Sequence, residues 1–384
     1  MTKPLPDATW HLRRYREGDE SGINDLFRIV FQRERSQEEW RWKFKEGPLR
    51  DFRFIHLAQA GERIVGQLAA MVVRFQCQGR EALAVQVVDN MIDPAFRGGF
   101  SKSRMQRTLF SDCEGAIRAA GIALGFGFPN REAYRIGIRL LGYRDLGTVD
   151  VRSCPLSWVG RTRRLLGDGR FARGVGRLQA AARSLLHGSR TPLLAGALVR
   201  RATSFDESFD RLWKRLSSSF AMAVVRDRQF LQWRYREKPG TRYTILTLER
   251  EGELLGYAVL AVRRSSVSLD RGLPDSNRGS RRLHLLPRPP RTGLVADILC
   301  LPLAGAVEEL LRGSLRFFLE AGMDQAECWS PQGGRYEEAI RTFFPRTLPE
   351  PVRAVCKIYD PAIDERVATQ ISQWHITLGD SDGV

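Results

Sequence analysis

The residues with the clearest potential for chemistry lie in a short loop with an arginine and two glycines. Arg97, Gly98 and Gly99 follow a segment predicted to be a strand and lead into a predicted helix near Ser101. A pyrophosphate needs several backbone N–H donors on one concave surface, and small residues let the chain approach it closely. Arg97 and Lys102 would add positive charge. The loop fits phosphate binding, and it fits equally well a plain turn between a strand and a helix.

A carboxylate just before this loop is a candidate for proton transfer. Asp89 lies beside Val87, Val88 and Met91 in a strand that we predict to be buried. Burial in apolar surroundings raises the pKa of a carboxyl group, and a raised pKa would suit a general base that works near neutral pH. A structural aspartate that only makes hydrogen bonds is an equally good interpretation.

A stretch outside the loop occurs twice in the chain. EEWRWKFKEGP at 38–48 returns as FLQWRYREKPG at 230–240. The paired positions share one offset of 191 residues, and they are Trp42 with Trp233, Phe44 with Tyr235 and Glu46 with Glu237. Such internal similarity indicates a duplicated unit. We expect the aromatic residues to pack a short helix against the sheet of each half.

The residues around both copies predict matching helix boundaries. Ser36 begins an S-x-x-E capping box with Glu39, and Asp227 is a plausible N-cap of the second copy. Pro48 and Pro239 then follow each block, so we predict that each short helix ends just before its proline.

The flanking segments repeat the same order of elements. FRFIHLA and IVGQLAAMVVRF predict one hairpin, and YTILTL and LLGYAVLAV predict another. In each half the predicted order is strand, helix, helix, hairpin, strand, helix, strand, helix. The spacing of Asp89 from Pro94 also matches the spacing of Asp297 from Pro302. The sequence therefore predicts two similar units in tandem.

The positive charge is concentrated in two segments. The chain has 384 residues and a net charge of +17. Residues 152–204 contain eleven arginines and one acid, and residues 262–291 contain eight arginines and two aspartates. We predict a helical connector for the first segment and a long loop for the second. Their arginines suit weak contacts with an anionic partner such as tRNA or a membrane surface, and a solvated connector is the plainer alternative.

Composition excludes several other classes of protein. The six cysteines lie far apart without a CxxC or Cys/His pairing, so we predict neither a disulfide framework nor a metal site. No apolar run approaches the roughly 18 to 20 residues that a transmembrane helix needs, and the first residues have no signal-peptide pattern. We expect a cytoplasmic protein without a transmembrane segment.

The order of elements and several motifs resemble the GNAT acyltransferase fold in tandem. The resemblance implies an α/β (α+β) fold with two GNAT-like domains, each a mixed, mostly antiparallel sheet flanked by helices. The expected domains are 1–152, which carries the loop, and 205–384, which carries the basic insertion 262–291. A basic helical linker at 153–204 would join them.

The stretch DPAFRGGFSKSRMQRTLFSDCEGAIRAAGIALGFGFPNREAYRIGIRLLGYRDLG resembles the cofactor-binding half of that family. The resemblance implies that acyl-CoA, with acetyl-CoA as the simplest form, is the co-substrate. The tyrosine that often protonates the departing thiolate has no counterpart at Gly137 or Ile138, so Tyr134, one turn earlier, is the candidate acid, and Asp89 is the candidate base. The implied cofactor-binding residues are Ile92, Arg97, Gly98, Gly99, Phe100, Ser101, Lys102 and Asn130.

Three functions follow from these observations. The resemblance implies an N-acyltransferase, most simply an N-acetyltransferase, that acts on an amine of a sugar, amino acid or other small molecule. The second half lacks the Arg/Gly loop after Pro302 and has Glu308 and Glu309 near its helix start, so we predict that it is a degenerate copy. The alternatives are an aminoacyl-tRNA-dependent, FemAB-like transferase and an inactive GNAT-like binding module.

Overall fold

The computed structural model describes residues 9–51, 54–97, 99–156, 193–263 and 290–382, with only the backbone for 99–103. In the described part of the first half, the α-helices and strands are β1 (His11–Arg14), α1 (Glu20–Phe31), α2 (Gln37–Phe44), β2 (Phe54–Ala60), β3 (Arg63–Cys77), β4 (Arg80–Ile92), α3 (Gly99–Ala119), β5 (Leu124–Gly127), α4 (Arg131–Leu140) and β6 (Arg144–Pro155).

The second half runs through a similar order of elements. It adds the short strands β8 and β13 and a C-terminal extension. Its elements are β7 (Leu198–Ala202), α5 (Glu207–Leu216), β8 (Met222–Val224), α6 (Arg228–Tyr235), β9 (Tyr243–Arg250), β10 (Glu253–Arg263), β11 (Thr292–Cys300), α7 (Ala306–Glu320), β12 (Gln325–Pro331), α8 (Glu337–Phe343), β13 (Arg346–Thr347), β14 (Val352–Ile358), α9 (Glu365–Ala368) and β15 (Trp374–His375).

Local sequence signals explain the two short helices α2 and α6. The Ser36 side chain accepts a hydrogen bond from the Glu39 N–H at 3.0 Å, and the Asp227 side chain accepts one from the Phe230 N–H at 2.8 Å. Each bond satisfies one of the N–H groups that a helix start leaves unpaired. Both predicted N-caps are therefore confirmed.

The strands of both halves form one continuous sheet. Its order is β1-β2-β3-β4-β5-β14-β6-β12-β11-β10-β9-β7, with short side branches at β8, β13 and β15. The last strand of each half is exchanged, because β14 pairs with β5 of the first half and β6 pairs with β12 of the second. The sheet is mixed and mostly antiparallel, as predicted, but the two halves share it instead of holding separate sheets.

The exchange affects the predicted domain boundaries. The boundary at 152 falls inside β6, and strand β7 lies inside the stretch 153–204 that we expected to be a helical linker. Most of that linker, 157–192, and most of the basic insertion, 264–289, lie outside the described residues. In the described part of the chain, no helix has the length and apolar character needed to span a membrane.

The repeated stretches meet at the centre of the molecule. The rings of Trp42 and Trp233 stack with centroids 5.1 Å apart and an angle of 19° between their planes. The Trp42 indole N–H donates to the Trp233 carbonyl at 2.9 Å, and the Trp233 indole N–H donates to the Trp42 carbonyl at 3.1 Å. We had expected each stretch to pack on its own sheet, but these tryptophans pack on each other and join the halves.

Helices cover both faces of the first half of the sheet. α1 and α2 bury Ile23, Phe27 and Trp40 on one face, and α3 buries Met105 and Leu109 on the other. The close approach of α3 depends on Gly66 of β3, because a Cβ at that position would lie 2.8 Å from the Met105 sulfur.

Replacing Trp42 with alanine should destabilise the whole chain. We expect a loss of about 3 to 5 kcal/mol in the free energy of unfolding, because the change removes a buried aromatic side chain and one of the two reciprocal hydrogen bonds. Urea denaturation measures it. The double variant Trp42→Ala/Trp233→Ala should lose less free energy of unfolding than the sum of the losses in the two single variants, because both changes remove the same contact. Fully additive losses would contradict a direct coupling between the two tryptophans.

Candidate functional site

A wedge opens between two parallel strands of the first half. β4 and β5 pair only at Ala84 with Leu124, Val85 with Gly125 and Gln86 with Phe126. β4 continues to residue 92, and β5 ends at 127. Among the described strands, none pairs with this edge of β4 beyond residue 86. The carboxyl ends of diverging parallel strands are a common place for ligands, because the backbone N–H and C=O groups there remain available.

A bulge in β4 lies at this wedge. The pairing register with β3 shifts between Gln67 and Ala69, and Asp89 on the opposite strand has a φ of +48°. That left-handed conformation is unusual for a residue with a side chain, and it re-aims the backbone locally. The β4 backbone therefore changes direction close to the point where β4 leaves β5.

Two cations hold the Asp89 carboxylate. The Arg35 guanidinium donates to one oxygen, and the Lys43 ammonium lies 2.7 Å from the other. Burial alone would raise the pKa of Asp89, but Lys43 and Arg35 outweigh burial and lower the pKa below its usual value. The expectation of a raised pKa is therefore wrong, because the sequence did not show these two partners.

The predicted phosphate loop lies at the start of α3. Arg97 is exposed, and its Nε donates to the Ile92 carbonyl at 2.9 Å, while the Ile92 side chain is buried. Gly98 lies outside the described residues. Gly99, Phe100, Ser101 and Lys102 begin a helix of 21 residues. The first N–H groups of such a helix lack intrahelical partners and carry partial positive charge, so this helix start suits an anion.

The two remaining predicted residues are the N-cap of α4 and a residue within it. The Asn130 side chain caps this helix by accepting from the Ala133 N–H at 2.9 Å. The Tyr134 hydroxyl donates to Asp145 of β6 at 2.8 Å, and the Arg353 guanidinium lies 5.3 Å from the centre of its ring. Burial and the Asp145 carboxylate raise the pKa of Tyr134. Its phenol is therefore protonated at neutral pH.

The corresponding wedge of the second half is filled by the chain itself. β11 and β12 also pair only at their beginnings, from Thr292 with Gln325 to Val295 with Cys328. Beyond this point the buried Tyr336 hydroxyl accepts from the Cys300 N–H at 3.0 Å.

The C-terminal segment 371–382 also lies against this part of β11. The buried His375 ring lies close to the backbone of Ile298, and at Gly379 a Cβ would lie only 3.0 Å from the Ala296 carbonyl oxygen. The strand edge that is available in the first half is therefore occupied in the second.

The start of α7, the counterpart of α3, is covered as well. At Gly305, a Cβ would lie 2.6 Å from the carbonyl oxygen of Leu193. The buried Glu309 carboxylate accepts from the Leu193 N–H and lies 3.7 Å from Arg312. A second phosphate site at this helix start is thus blocked by the backbone at 193 and by a carboxylate.

The sequence analysis missed a buried ion pair that occurs in both halves. Arg226 binds Asp297 at 3.1 Å, as Arg35 binds Asp89 in the first half. Arg35 and Arg226 have the same offset of 191 residues as the tryptophan pair, so the repeat itself contained the signal. Each pair joins the residue before a short helix to the strand that borders the wedge.

The C-terminal segment connects both ion pairs. Asp380 lies 2.7 Å from the Arg226 guanidinium, and its backbone carbonyl accepts from the Gln86 amide at 2.9 Å. Asp382 lies 3.0 Å from the same Lys43 ammonium that binds Asp89. One segment near the end of the chain thus contacts the wedge strand of each half.

Comparison with known proteins agrees with this geometry. Residues 11–143 match the family model described as Acetyltransferase (GNAT) domain. This part of the chain is therefore similar to GNAT acetyltransferase domains. No curated protein matches the sequence.

Solved structures extend the similarity over nearly the whole chain. A GCN5-related N-acetyltransferase from Anabaena variabilis has a TM-score of 0.57 at 11% identity, covering 91% of this chain and 73% of that one. The N-myristoyltransferase of Saccharomyces cerevisiae, solved with bound myristoyl-CoA and inhibitors, has a TM-score of 0.57 at 12% identity, covering 94% and 82%. At these identities the likeness concerns the fold.

Replacing Asp89 with asparagine should be costly at neutral pH. The change leaves Arg35 and Lys43 buried without their shared anion, and we expect a loss of about 3 to 5 kcal/mol in the free energy of unfolding. Because the pKa of Asp89 is lowered in the folded protein, its contribution is full above the unfolded pKa of roughly 4 and is lost as the pH falls through the folded value.

Urea denaturation at pH 7 and at progressively lower pH values measures both effects. Asp382→Asn is the control, because this partly exposed side chain shares Lys43 but should contribute only about 0 to 1 kcal/mol. Equal losses for the two variants at pH 7 would contradict the proposed role of Asp89.

Proposed function

We propose that this protein is an N-acyltransferase that transfers an acyl group from acyl-CoA to an amine, with the donor bound in the wedge of the first half. The observation that carries the proposal is the parting of β4 and β5 after Gln86 and Phe126, next to the start of α3. The GNAT match over 11–143 and the shared fold of the yeast enzyme with bound myristoyl-CoA support it.

The donor's two ends fit two parts of this site. Its pyrophosphate would bind the N–H groups at the start of α3, with charge from Arg97 and Lys102. Its pantetheine arm has amide groups that can pair with the free edge of β4 beyond residue 86 as an added strand would. The proposed donor-binding residues remain Ile92, Arg97, Gly98, Gly99, Phe100, Ser101, Lys102 and Asn130.

The proposed reaction is direct transfer without a covalent enzyme intermediate. The acceptor nitrogen attacks the thioester carbon, the C–N bond forms, the C–S bond breaks, and the acceptor loses a proton while the departing thiolate gains one. Backbone N–H groups at the bulge of β4 are suited to stabilise the oxyanion. Tyr134 stays the proposed proton donor, since its phenol is protonated at neutral pH.

Asp89 fits a positioning role better than that of a strong base. Its lowered pKa means that it is ionised at neutral pH but holds a proton weakly. Through Arg35 and Lys43 it fixes the bulge where the thioester would lie. The acceptor amine then loses its proton to solvent.

For the second half we propose a role in stability and in completing the acceptor cleft. Its wedge contains Tyr336 and His375, and its helix start is covered by Leu193. The acceptor is proposed to be a small-molecule amine, and the acyl group is acetyl or longer. A tRNA-dependent transferase and an inactive binding module are the competing outcomes of the test below.

Replacing Gly127 with leucine should block donor binding without unfolding the protein. Gly127 ends β5 at the wedge, and a Cβ there would have no described atom within 4 Å. We expect acetyl-CoA and octanoyl-CoA to bind the natural chain saturably in calorimetric titrations and to bind Gly127→Leu at least about tenfold more weakly. Arg97→Glu should also weaken binding, by like-charge repulsion.

Gly115→Leu is the matched control, since Gly115 lies on α3 and also has open space around it. This variant should bind both donors as the natural chain does. Failure of the natural chain to bind any acyl-CoA at millimolar concentration would contradict the proposal. Titration with aminoacyl-tRNA would then separate the transferase alternative from the inactive module.

A further inference from the structure

The outer face of α4 carries three exposed arginines in one row. Arg131, Arg135 and Arg139 are spaced by four residues, so they lie on the same side of the helix and span about 12 Å at 1.5 Å per residue. An adjacent side of the helix packs inward through Tyr134 and Ile138, which contact the apolar cluster under α3. We call this row the α4 arginine face.

These three arginines have no ion-pair partner among the described residues. Neighbouring arginines do have partners, as Arg144 lies 2.7 Å from Glu365 and Arg353 lies 3.3 Å from Asp145. Arginine is enriched at protein-binding surfaces relative to the rest of a protein's surface.

The position of α4 places this face beside the donor wedge. Residues 128–130 alone join the end of β5 to the start of α4, so the helix begins where the wedge opens. A partner bound along the arginine face would therefore lie next to the entrance of the wedge.

The second half provides an internal comparison. Its counterpart helix α8 follows β12, which takes the place of β5. The first turn of α8 carries Glu337 and Glu338, where the first turn of α4 carries Glu132 alone, and Arg341 is its one arginine. The arginine row therefore accompanies the open wedge and is missing where the wedge is filled. If the arginines only increased solubility, we would not expect their presence to depend on whether the neighbouring wedge is open or filled.

We propose that the α4 arginine face docks an acidic carrier protein that delivers the acyl group on its own phosphopantetheine arm. This inference rests on the proposed function, because it uses the same wedge. A carrier's arm ends in the same thiol as CoA, so a wedge that takes pantetheine takes either form. Acidic side chains on the carrier would complement the three arginines.

The chemistry is balanced for this donor as it is for CoA. The acceptor nitrogen forms a bond to the acyl carbon, and the bond from that carbon to the carrier's sulfur breaks. The proton lost by the amine restores the thiol of the carrier. The proposed pyrophosphate contacts lie at the start of α3, so only the carrier should depend on the distal arginines Arg135 and Arg139.

The test compares two donors with two charge-reversed variants of the full chain. Arg135→Glu/Arg139→Glu reverses the distal part of the face. Arg316→Glu/Arg341→Glu makes the same charge change at exposed positions of the second half. Calorimetry then measures the affinity of each protein for octanoyl-CoA and for an acidic acyl carrier protein charged with octanoyl, at low and at physiological salt.

We expect the first variant to bind the octanoyl carrier at least about tenfold more weakly, with a smaller salt dependence, and to bind octanoyl-CoA as before. The second variant should bind both donors normally. A natural chain that binds octanoyl-CoA but not the carrier would overturn this inference and leave the proposed function standing. A face that instead binds tRNA or phosphatidylserine vesicles, without the carrier, would also overturn it. Absence of octanoyl-CoA binding would overturn the proposed function itself.

Discussion

The exchange of the last strands is the constraint on which the rest of the structure depends. β14 completes the sheet of the first half and β6 completes that of the second, and the two strands also pair with each other. Side chains reinforce the exchange, since Lys357 of β14 donates to Glu114 of α3 at 2.7 Å and to the Leu141 carbonyl at 2.7 Å. Neither half can close its sheet alone. The second half must therefore be retained whole even though its own wedge is filled.

The buried ion pairs show how charge is tolerated in the interior of both halves. A buried pair is worth little against apolar packing, but breaking one is costly because it leaves an uncompensated charge. Replacing one residue of Arg35–Asp89 or of Arg226–Asp297 is thus costly. The second pair also binds the C-terminal segment, because Arg226 forms a further ion pair with Asp380.

The sequence predicted correctly those helices and strands that are determined by neighbouring residues. Caps at Ser36 and Asp227, both hairpins and the duplicated order follow from neighbouring residues, and a search of the repeat for charged positions would also have found Arg35 with Arg226. The strand exchange could not be predicted from the sequence, because the apolar pattern of β6 fits pairing with its own half as well as pairing with β12 of the other half. The pKa of Asp89 was misjudged for a similar reason. Its partners lie 46 and 54 residues away, and only the fold brings them together.

The difference between the two wedges is spread over many residues. At the filled wedge, Tyr336 binds the Cys300 N–H, the C-terminal segment lies along β11, and the chain at Leu193 covers the helix start. Each contact also satisfies a buried polar group or fills space, so removing one leaves the others in place and adds an unpaired group. The C-terminal segment then continues to Lys43, beside Asp89 in the first half. The same contacts that close one wedge therefore position charged groups at the other, and the asymmetry of the halves is part of how the candidate site is built.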